Sequence, residues 1–123
     1  MDGQHTAQRV TTNRPVKIIG GNRQVKGRLV GISLHDAALE SPAKASPGTR
    51  LELVFDLPAG DHFATLKLFC IVRSHTLHND KHLLRVEWDN PSDSDLAEIQ
   101  AFIDYKIRLK KSSIRGAGTQ TVP

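Results

Sequence analysis

The sequence predicts a mainly β protein in which six antiparallel strands form a small barrel and a C-terminal α-helix closes it. Two patterns indicate this architecture. Six short segments of alternating apolar residues follow one another between residues 14 and 88, with turn-forming residues between them, and one amphipathic segment with helical spacing comes after them. A run of strands followed by a single helix is typical of small antiparallel barrels and sandwiches.

The first three strands occupy the N-terminal third of the chain. An alternating segment around Val16 leads into residues 20–23 (GGNR), whose glycines suit a tight turn, and residues 25–33 return as the second strand of a hairpin. A short third strand follows at residues 36–40. The next segment, residues 41–48 (SPAKASPG), contains two prolines and a glycine and is therefore predicted to be a loop.

The other three strands are predicted at residues 50–57, 62–74 and 81–88. In the first of them an apolar side chain recurs at every second position, so one face is expected to be buried and the other exposed. Cys70 falls on the apolar face of the next strand. A reactive thiolate needs an exposed cationic setting, so this position predicts a buried thiol and not a nucleophile.

The C-terminal helix is predicted to begin near residue 92, with Ser92 or Ser94 as its N-cap, and to end in the basic run KIRLKK of residues 106–111. Four apolar residues follow the candidate caps at spacings of three and four, which places them on one face: Leu96, Ile99, Ile103 and Ile107.

The whole chain is predicted to contain one domain, since 123 residues suffice for a single core. Residues 1–13 are expected to form a flexible N-terminal arm, residues 14–111 the barrel with its helix, and residues 112–123 a disordered tail. No apolar run approaches the roughly 20 residues of a membrane span, and the N-terminus lacks the apolar stretch of a secretory signal. With a single cysteine as well, the protein is predicted to be cytoplasmic.

The charge of the chain is distributed unevenly. Residues 1–30 carry six Lys or Arg against one acid, residues 31–103 carry six against eleven, and residues 104–123 carry five against one. Both ends are therefore basic and the middle is acidic. Surfaces made by the two ends would attract a small anion or an acidic partner.

Neither metal binding nor catalysis is predicted. Four potential metal ligands lie close together in the sequence at His75, His78, Asp80 and His82, but they fall in a predicted hairpin loop without a cysteine pair, and zinc sites usually need a rigid frame. No nucleophile–base pairing, phosphate-binding glycine loop or carboxylate pair is recognisable, and His35 and Asp36 point to opposite faces as strand neighbours. The chain is therefore not expected to be an enzyme.

Nucleic-acid binding is a remote alternative, because the sequence pI is about 9.5 and small barrels often stack bases on exposed aromatic side chains. The aromatic residues do not favour it. Phe55 and Trp88 are expected to point inward, which leaves Phe63, Phe69 and Tyr105 as the available platforms.

Two short segments carry a resemblance to a known family. HTAQR, from His5 to Arg9, lies just before the first strand, and GISLHD, from Gly31 to Asp36, lies at the turn between the second and third strands. With the order of arm, six strands and helix, they resemble the PilZ domain family, whose members are bacterial receptors for the second messenger cyclic di-GMP. Its motifs are RxxxR on the arm and [D/N]xSxxG at that turn.

The match to these motifs is partial. Arg9 and Ser33 occupy motif positions, whereas His5, Gly31 and Asp36 replace the leading arginine, the acid or amide, and the closing glycine. The wider resemblance covers most of residues 5–109, including the segments SPGTRLELVFDLP and LRVEWDNPSDSDLAEIQAFI, although Arg85 stands where members often have glycine.

The resemblance implies a cyclic di-GMP receptor with weakened or altered binding. Histidine is a poor substitute for a guanidinium that stacks and forms paired hydrogen bonds, and a carboxylate near a dianionic ligand is repulsive. The ligand would be cyclic di-GMP itself, with no further cofactor. The candidate binding residues are His5, Arg9, Arg14, Gly31, Ser33 and Asp36.

The alternative that the resemblance implies is a protein-interaction adaptor, in which the PilZ-like barrel does not bind the nucleotide. Its partner would be a protein of a bacterial motility pathway, such as one driven by type IV pili, or of polysaccharide export. Three apolar residues on otherwise polar strand faces hint at a docking surface: Ile19, Val54 and Ile71.

Overall fold

The structure is a computed structural model that describes residues 8–59 and 61–120. It confirms the mainly β architecture with six antiparallel strands and one C-terminal helix. The elements in chain order are β1 (Val10–Gly20), β2 (Arg23–Ile32), β3 (Asp36–Ser41), β4 (Arg50–Ala59), β5 (His62–His78), β6 (Lys81–Trp88) and α1 (Asp93–Gln120).

The strands close into a barrel in the order β1-β2-β3-β6-β5-β4. Four of the six pairings join consecutive strands, as expected where short turns connect antiparallel neighbours. The other two, β3 with β6 and β1 with β4, join strands that are distant in the sequence. The pairing of β3 with β6 is the one that builds the candidate site.

The core follows from the alternation of apolar residues along the strands. Every second side chain of β4 from Leu51 to Leu57 is buried, and so are the inward-facing side chains of β5 from Leu66 to Val72 and of β6 from Leu84 to Trp88. Cys70 is fully buried, as predicted. The largest fully buried side chains include Leu29, Ile32, Leu39, Leu53, Leu57, Leu66, Leu84 and Phe102.

The helix α1 packs mainly on β4, with smaller contacts to β1 and β5, and adds Ile99, Phe102 and Ile103 to the core. Of the two candidate caps, Ser92 is the N-cap. Its Oγ accepts a hydrogen bond from the Asp95 backbone N–H at 3.0 Å, and the Asp95 carboxylate accepts one from the Ser92 N–H at 3.4 Å. This reciprocal pair is a capping box.

Three segments differ from the sequence-based prediction. Residues 10–13 belong to β1 and not to the arm, because Val10 and Thr11 pair with β2. The helix continues through residues 112–120, where a tail was predicted, and the sequence has no proline between residues 92 and 120 to end it. Outside the described residues lie most of the arm and the last three residues of the chain.

The third difference concerns the predicted histidine-rich loop. β5 extends to His78 and β6 begins at Lys81, so only Asn79 and Asp80 form the turn. Both have positive φ, 52° and 64°, as a two-residue hairpin turn of type I′ requires. The prediction was wrong here because polar strand residues at the end of a hairpin lack the apolar alternation by which strands are recognised.

No helix in the described part of the chain is both long and apolar enough to cross a membrane.

Candidate functional site

The turn between β2 and β3 is organised by Ser33, which is completely buried. Its Oγ accepts hydrogen bonds from the backbone N–H groups of His35 and Asp36, both at 3.1 Å. Its backbone N–H donates to the Asp36 carbonyl at 2.9 Å. From β6, the Trp88 indole Nε1–H donates to the Ser33 carbonyl at 3.0 Å. The side chain of Ser33 thus fixes the shape of the turn from inside.

The carboxylate of Asp36 is the common partner of the charged side chains next to this turn. Arg9 Nη2 donates to both carboxylate oxygens, at 2.7 and 2.6 Å, and Arg85 Nη2 donates to one of them at 3.1 Å. The Ser33 hydroxyl donates to Asp36 Oδ1 at 2.7 Å. The Asp36 side chain is 19% exposed, so these contacts are partly shielded from water. We call Arg9, Ser33, Asp36 and Arg85 the Asp36 cluster.

Strand register explains why Arg85 reaches this carboxylate. Ala38 is the Cα partner of Arg85 in the ladder between β3 and β6, and Asp36 lies two residues before Ala38. Residues two apart on a strand share a face, and diagonal neighbours on paired strands are within reach of long side chains. Asp36 and Arg85 therefore meet on the outer surface of the barrel.

The charges of the Asp36 cluster change the expected role of Asp36. The sequence predicted that this carboxylate would repel a dianionic ligand. In the structure it is paired with two guanidinium groups, so the cluster carries a formal charge of +1. Charge-assisted hydrogen bonds of this kind are short and strong, and they hold the end of the arm against the barrel.

The other predicted site residues lie in different places. Arg14 points away from the cluster, since its Nε donates to the Asp56 carbonyl at 2.7 Å and its guanidinium lies 5.8 Å from the centre of the Phe63 ring. Gly31 lies on β2, and a Cβ built there would be 3.7 Å from both Ala38 Cβ and the Val10 carbonyl oxygen, an ordinary contact distance. His5 is outside the described residues. The structure thus brings together Arg9, Ser33 and Asp36.

A groove of about 700 Å³ adjoins the Asp36 cluster, lying between residues 8–11 and residues 106–110 of α1. Arg9 lines one side of it, and Lys106 and Lys110 line the other. Among the described residues, those that line this groove include no acidic side chain. We call it the arm–helix groove.

Sequence reasoning did not assign Arg85, Lys106 or Lys110 to the site. Arg85 had one visible signal, since it stands where the family often has glycine. Its proximity to Asp36 depends on the pairing of β3 with β6, which local patterns do not reveal. Lys106 and Lys110 were recognised only as part of a basic helix end, and their position next to the arm is a result of tertiary packing.

The histidine-rich hairpin does not assemble a metal centre in the described residues. His75 Nε2 and His82 Nδ1 are 2.7 Å apart on paired strands, and their rings stack with centroids 5.0 Å apart. Within the described part of the chain, no group of three or more His, Cys, Asp or Glu side chains is placed to hold a metal ion. The two imidazoles hydrogen-bond to each other instead.

The two exposed phenylalanine rings each lie next to an arginine. Phe63 is 69% exposed and Phe69 is 41% exposed, as expected for possible stacking platforms. The guanidinium of Arg50 lies 3.9 Å from the centre of the Phe69 ring and also donates to Asp89 at 2.9 Å. With Arg14 near Phe63, both phenylalanine rings already have a cationic neighbour.

Comparison with known proteins agrees with the fold. Residues 4–105 match the family model described as the PilZ domain. No curated protein sequence matches the chain.

Three solved structures have a similar fold. The Bacillus subtilis inhibitor of motility (MotI/DgrA) has a TM-score of 0.73 and 19% identity, over 83% of this chain and 51% of that chain. The PilZ domain of Escherichia coli YcgR with c-di-GMP has a TM-score of 0.66 and 12% identity, over 87% of this chain and 95% of that chain. E. coli YcgR in complex with c-di-GMP has a TM-score of 0.68 and 15% identity, over 92% of this chain and 49% of that chain.

The chain spans about half the length of MotI and of the longer YcgR chain. Identities of this size show a shared fold. The family match is broader evidence, because it covers all six strands and residues 93–105 of α1 and includes both the arm segment and the turn at Ser33. PilZ domains are binding and effector modules. On these grounds the chain belongs to the PilZ domain family.

Proposed function

We propose that this protein is a PilZ-type signalling domain that binds cyclic di-GMP at the Asp36 cluster with weakened affinity. The observation that carries the proposal is the convergence of Arg9 and Arg85 on one carboxylate beside Ser33. Two guanidinium groups that meet at one anion are also arranged to meet a phosphate. In this proposal Arg85 supplies the second guanidinium that His5 does not.

The weakened affinity follows from competition. A ligand phosphate must take Arg9 and Arg85 away from Asp36, so the ligand gains its charged contacts only after two existing ones are lost. A hydrogen bond to a charged group contributes about 1.5–3 kcal/mol, and about 1.4 kcal/mol corresponds to tenfold in affinity. One uncompensated contact would therefore lower the affinity by about tenfold to a hundredfold.

The proposed response to the ligand is a movement of the arm. Arg9 is held by Asp36, and cyclic di-GMP would draw Arg9 into contacts with its own phosphate. The ligand would then favour a different arm position and would present a different surface to a protein partner. A soluble second messenger implies a cytoplasmic setting.

Calorimetric titration with cyclic di-GMP tests the proposal. Asp36→Gly should bind at least about tenfold more tightly than the wild type, because it releases both arginines and restores the closing glycine of the motif. The affinity of Asp36→Asn should lie between those of the wild type and Asp36→Gly. Arg9→Ala should bind more weakly than the wild type. Asp89→Asn is the matched control, since it removes the carboxylate partner of Arg50 elsewhere on the barrel. Its affinity should equal that of the wild type.

A second candidate function is that of a protein-interaction adaptor, and one observation favours it. The end of the arm contacts the barrel through two protein side chains, Arg9 and Asp36, and an ion pair between protein side chains does not require a nucleotide. The partner would belong to a motility or polysaccharide pathway, and the half-buried Ile19, Val54 and Ile71 would contribute to the contact surface. Flat titrations for both the wild type and a folded Asp36→Gly variant would contradict nucleotide binding and favour this function.

A further inference from the structure

We infer that α1 forms the second wall of the nucleotide site, with Lys106 and Lys110 contacting a ligand phosphate across the arm–helix groove. This inference rests on the proposed binding of cyclic di-GMP. It adds a binding surface on the helix, which lies outside both sequence motifs. The groove has the size, charge and apolar lining that such a binding surface needs.

The groove has the size and position that the ligand requires. Its volume of about 700 Å³ falls within the range of roughly 300–1,000 Å³ that is common for small-molecule pockets. Arg9 lines the groove and also contacts Asp36, so the groove and the Asp36 cluster share a side chain. A ligand that engages Arg9 at the cluster therefore extends naturally along α1.

The charge of the groove matches a dianion. Lys106 and Lys110 are one helical turn apart and lie on the same face of α1, opposite Arg9. Two like charges at this spacing disfavour the helix slightly, and a bound anion would remove that cost. An ammonium group accepts phosphate oxygens from many directions, so the two lysines do not need the planar geometry of the RxxxR motif.

The apolar part of the groove suits a purine. Val10 and Ile107 are half-buried there, and Leu109 is 48% exposed. A guanine ring that packs over these side chains would remove exposed apolar surface from water. Apolar walls with a few charged groups are the usual lining of a small-molecule site.

If the helix contacts the ligand, binding joins three parts of the chain. The arm contributes Arg9, the barrel contributes Arg85, and α1 contributes Lys106 and Lys110. The ligand then fixes the arm relative to the helix. This linkage gives the C-terminal segment a way to report occupancy of the site.

The test is a charge-removal experiment with a matched control. The double variant Lys106→Ala, Lys110→Ala is compared with Lys17→Ala, Lys26→Ala, which removes the same charge from paired, exposed positions on β1 and β2. Cyclic di-GMP is titrated calorimetrically into both, with and without Asp36→Gly, at two salt concentrations. Alanine is a strong helix former, so the α1 variant should keep its helical circular dichroism.

The α1 variant should bind cyclic di-GMP about tenfold more weakly than the protein with all four lysines, and its affinity should depend less steeply on salt. The affinity of the control variant should stay within about twofold of that protein's. Amide NMR of the wild type should show ligand-induced shifts at residues 106–110. Equal weakening in both double variants would overturn the inference, since it would reflect general charge. Unchanged binding by the α1 variant would overturn it too, while the proposed function stands. Absence of binding in every protein, the wild type and Asp36→Gly included, would overturn both.

Discussion

At the residue scale, burial is the main influence on the chemistry of the Cys70 thiol. Cys70 lies in the middle of β5 with no exposed surface, and burial away from water raises the pKa of its thiol from 9.0 to about 12. A backbone hydrogen bond from Leu51 lowers the pKa by less than burial raises it. The thiol is thus a packing group, as its place in the apolar alternation predicted.

The raised pKa of the Cys70 thiol can be tested by alkylation. The folded state favours the neutral thiol, so this stabilisation is fully present below pH 9 and is lost as the pH rises toward about 12. At pH 8 the native thiolate fraction should be about one in ten thousand. Iodoacetamide should therefore label native protein very slowly and urea-unfolded protein quickly. Rapid, complete labelling of the native protein would contradict the buried assignment.

Two glycines of β2 offer a paired test of packing. A Cβ at Gly27 would collide with the Glu40 carbonyl oxygen and would lie 2.8 Å from Ile18 Cδ1, whereas a Cβ at Gly31 would meet only ordinary contacts. Gly27→Ala should therefore lower the free energy of unfolding by about 1–3 kcal/mol, and Gly31→Ala should change it by less than about 0.5 kcal/mol. Urea unfolding measures both. Equal stabilities would show that the backbone of β3 moves away without cost.

The candidate site could be predicted from sequence only where its chemistry is local. Arg9 and Ser33 occupy motif positions, and the structure brings them to the same carboxylate. The partner of Asp36 could not be predicted in this way, because Arg85 lies 49 residues further along the chain. Asp36 was interpreted as a repulsive substitution, and its pairing with two arginines became visible only with the neighbouring strand in place.

At the scale of elements, the start of α1 provides a clear test of capping. Ser92 accepts the Asp95 N–H, whereas Ser94 lies inside the first turn. Ser92→Ala should cost about 1 kcal/mol of stability, because the N–H of Asp95 loses its partner. Ser94→Ala, two residues away, should cost little or nothing. Thermal unfolding of the two variants compares them directly, and equal losses would argue against Ser92 as the cap.

The β5–β6 hairpin shows where element prediction fails. Strands are recognised by alternation, and the outer half of this hairpin is polar, so residues 75–80 were interpreted as a loop. What extends the strands is backbone pairing, which continues to His78 and Lys81. The turn itself needs two residues in the left-handed region, and asparagine and aspartate tolerate that conformation better than most residues.

For the whole molecule, the fold class could be predicted because apolar residues recur at every second position of the strands. The same alternation appears as the buried face of the barrel, and the helix adds its three- and four-residue spacing to the same core. The order of strands in the sheet could not be predicted. Alternation shows which side of a strand is buried, but it does not show that β3 lies beside β6.

Closure of the barrel depends on a short ladder between β1 and β4, in which three pairs of residues meet: Lys17 with Val54, Ile18 with Leu53 and Ile19 with Glu52. These partners are about 35 residues apart in the sequence, so the ladder can form only after a long loop has closed. Closing the loop costs conformational entropy, and the three residue pairs of the ladder offset little of that cost. Chains dominated by such distant pairings fold in milliseconds to seconds, more slowly than helical bundles. The barrel is thus expected to assemble from its hairpins and to complete the β1–β4 ladder late in folding.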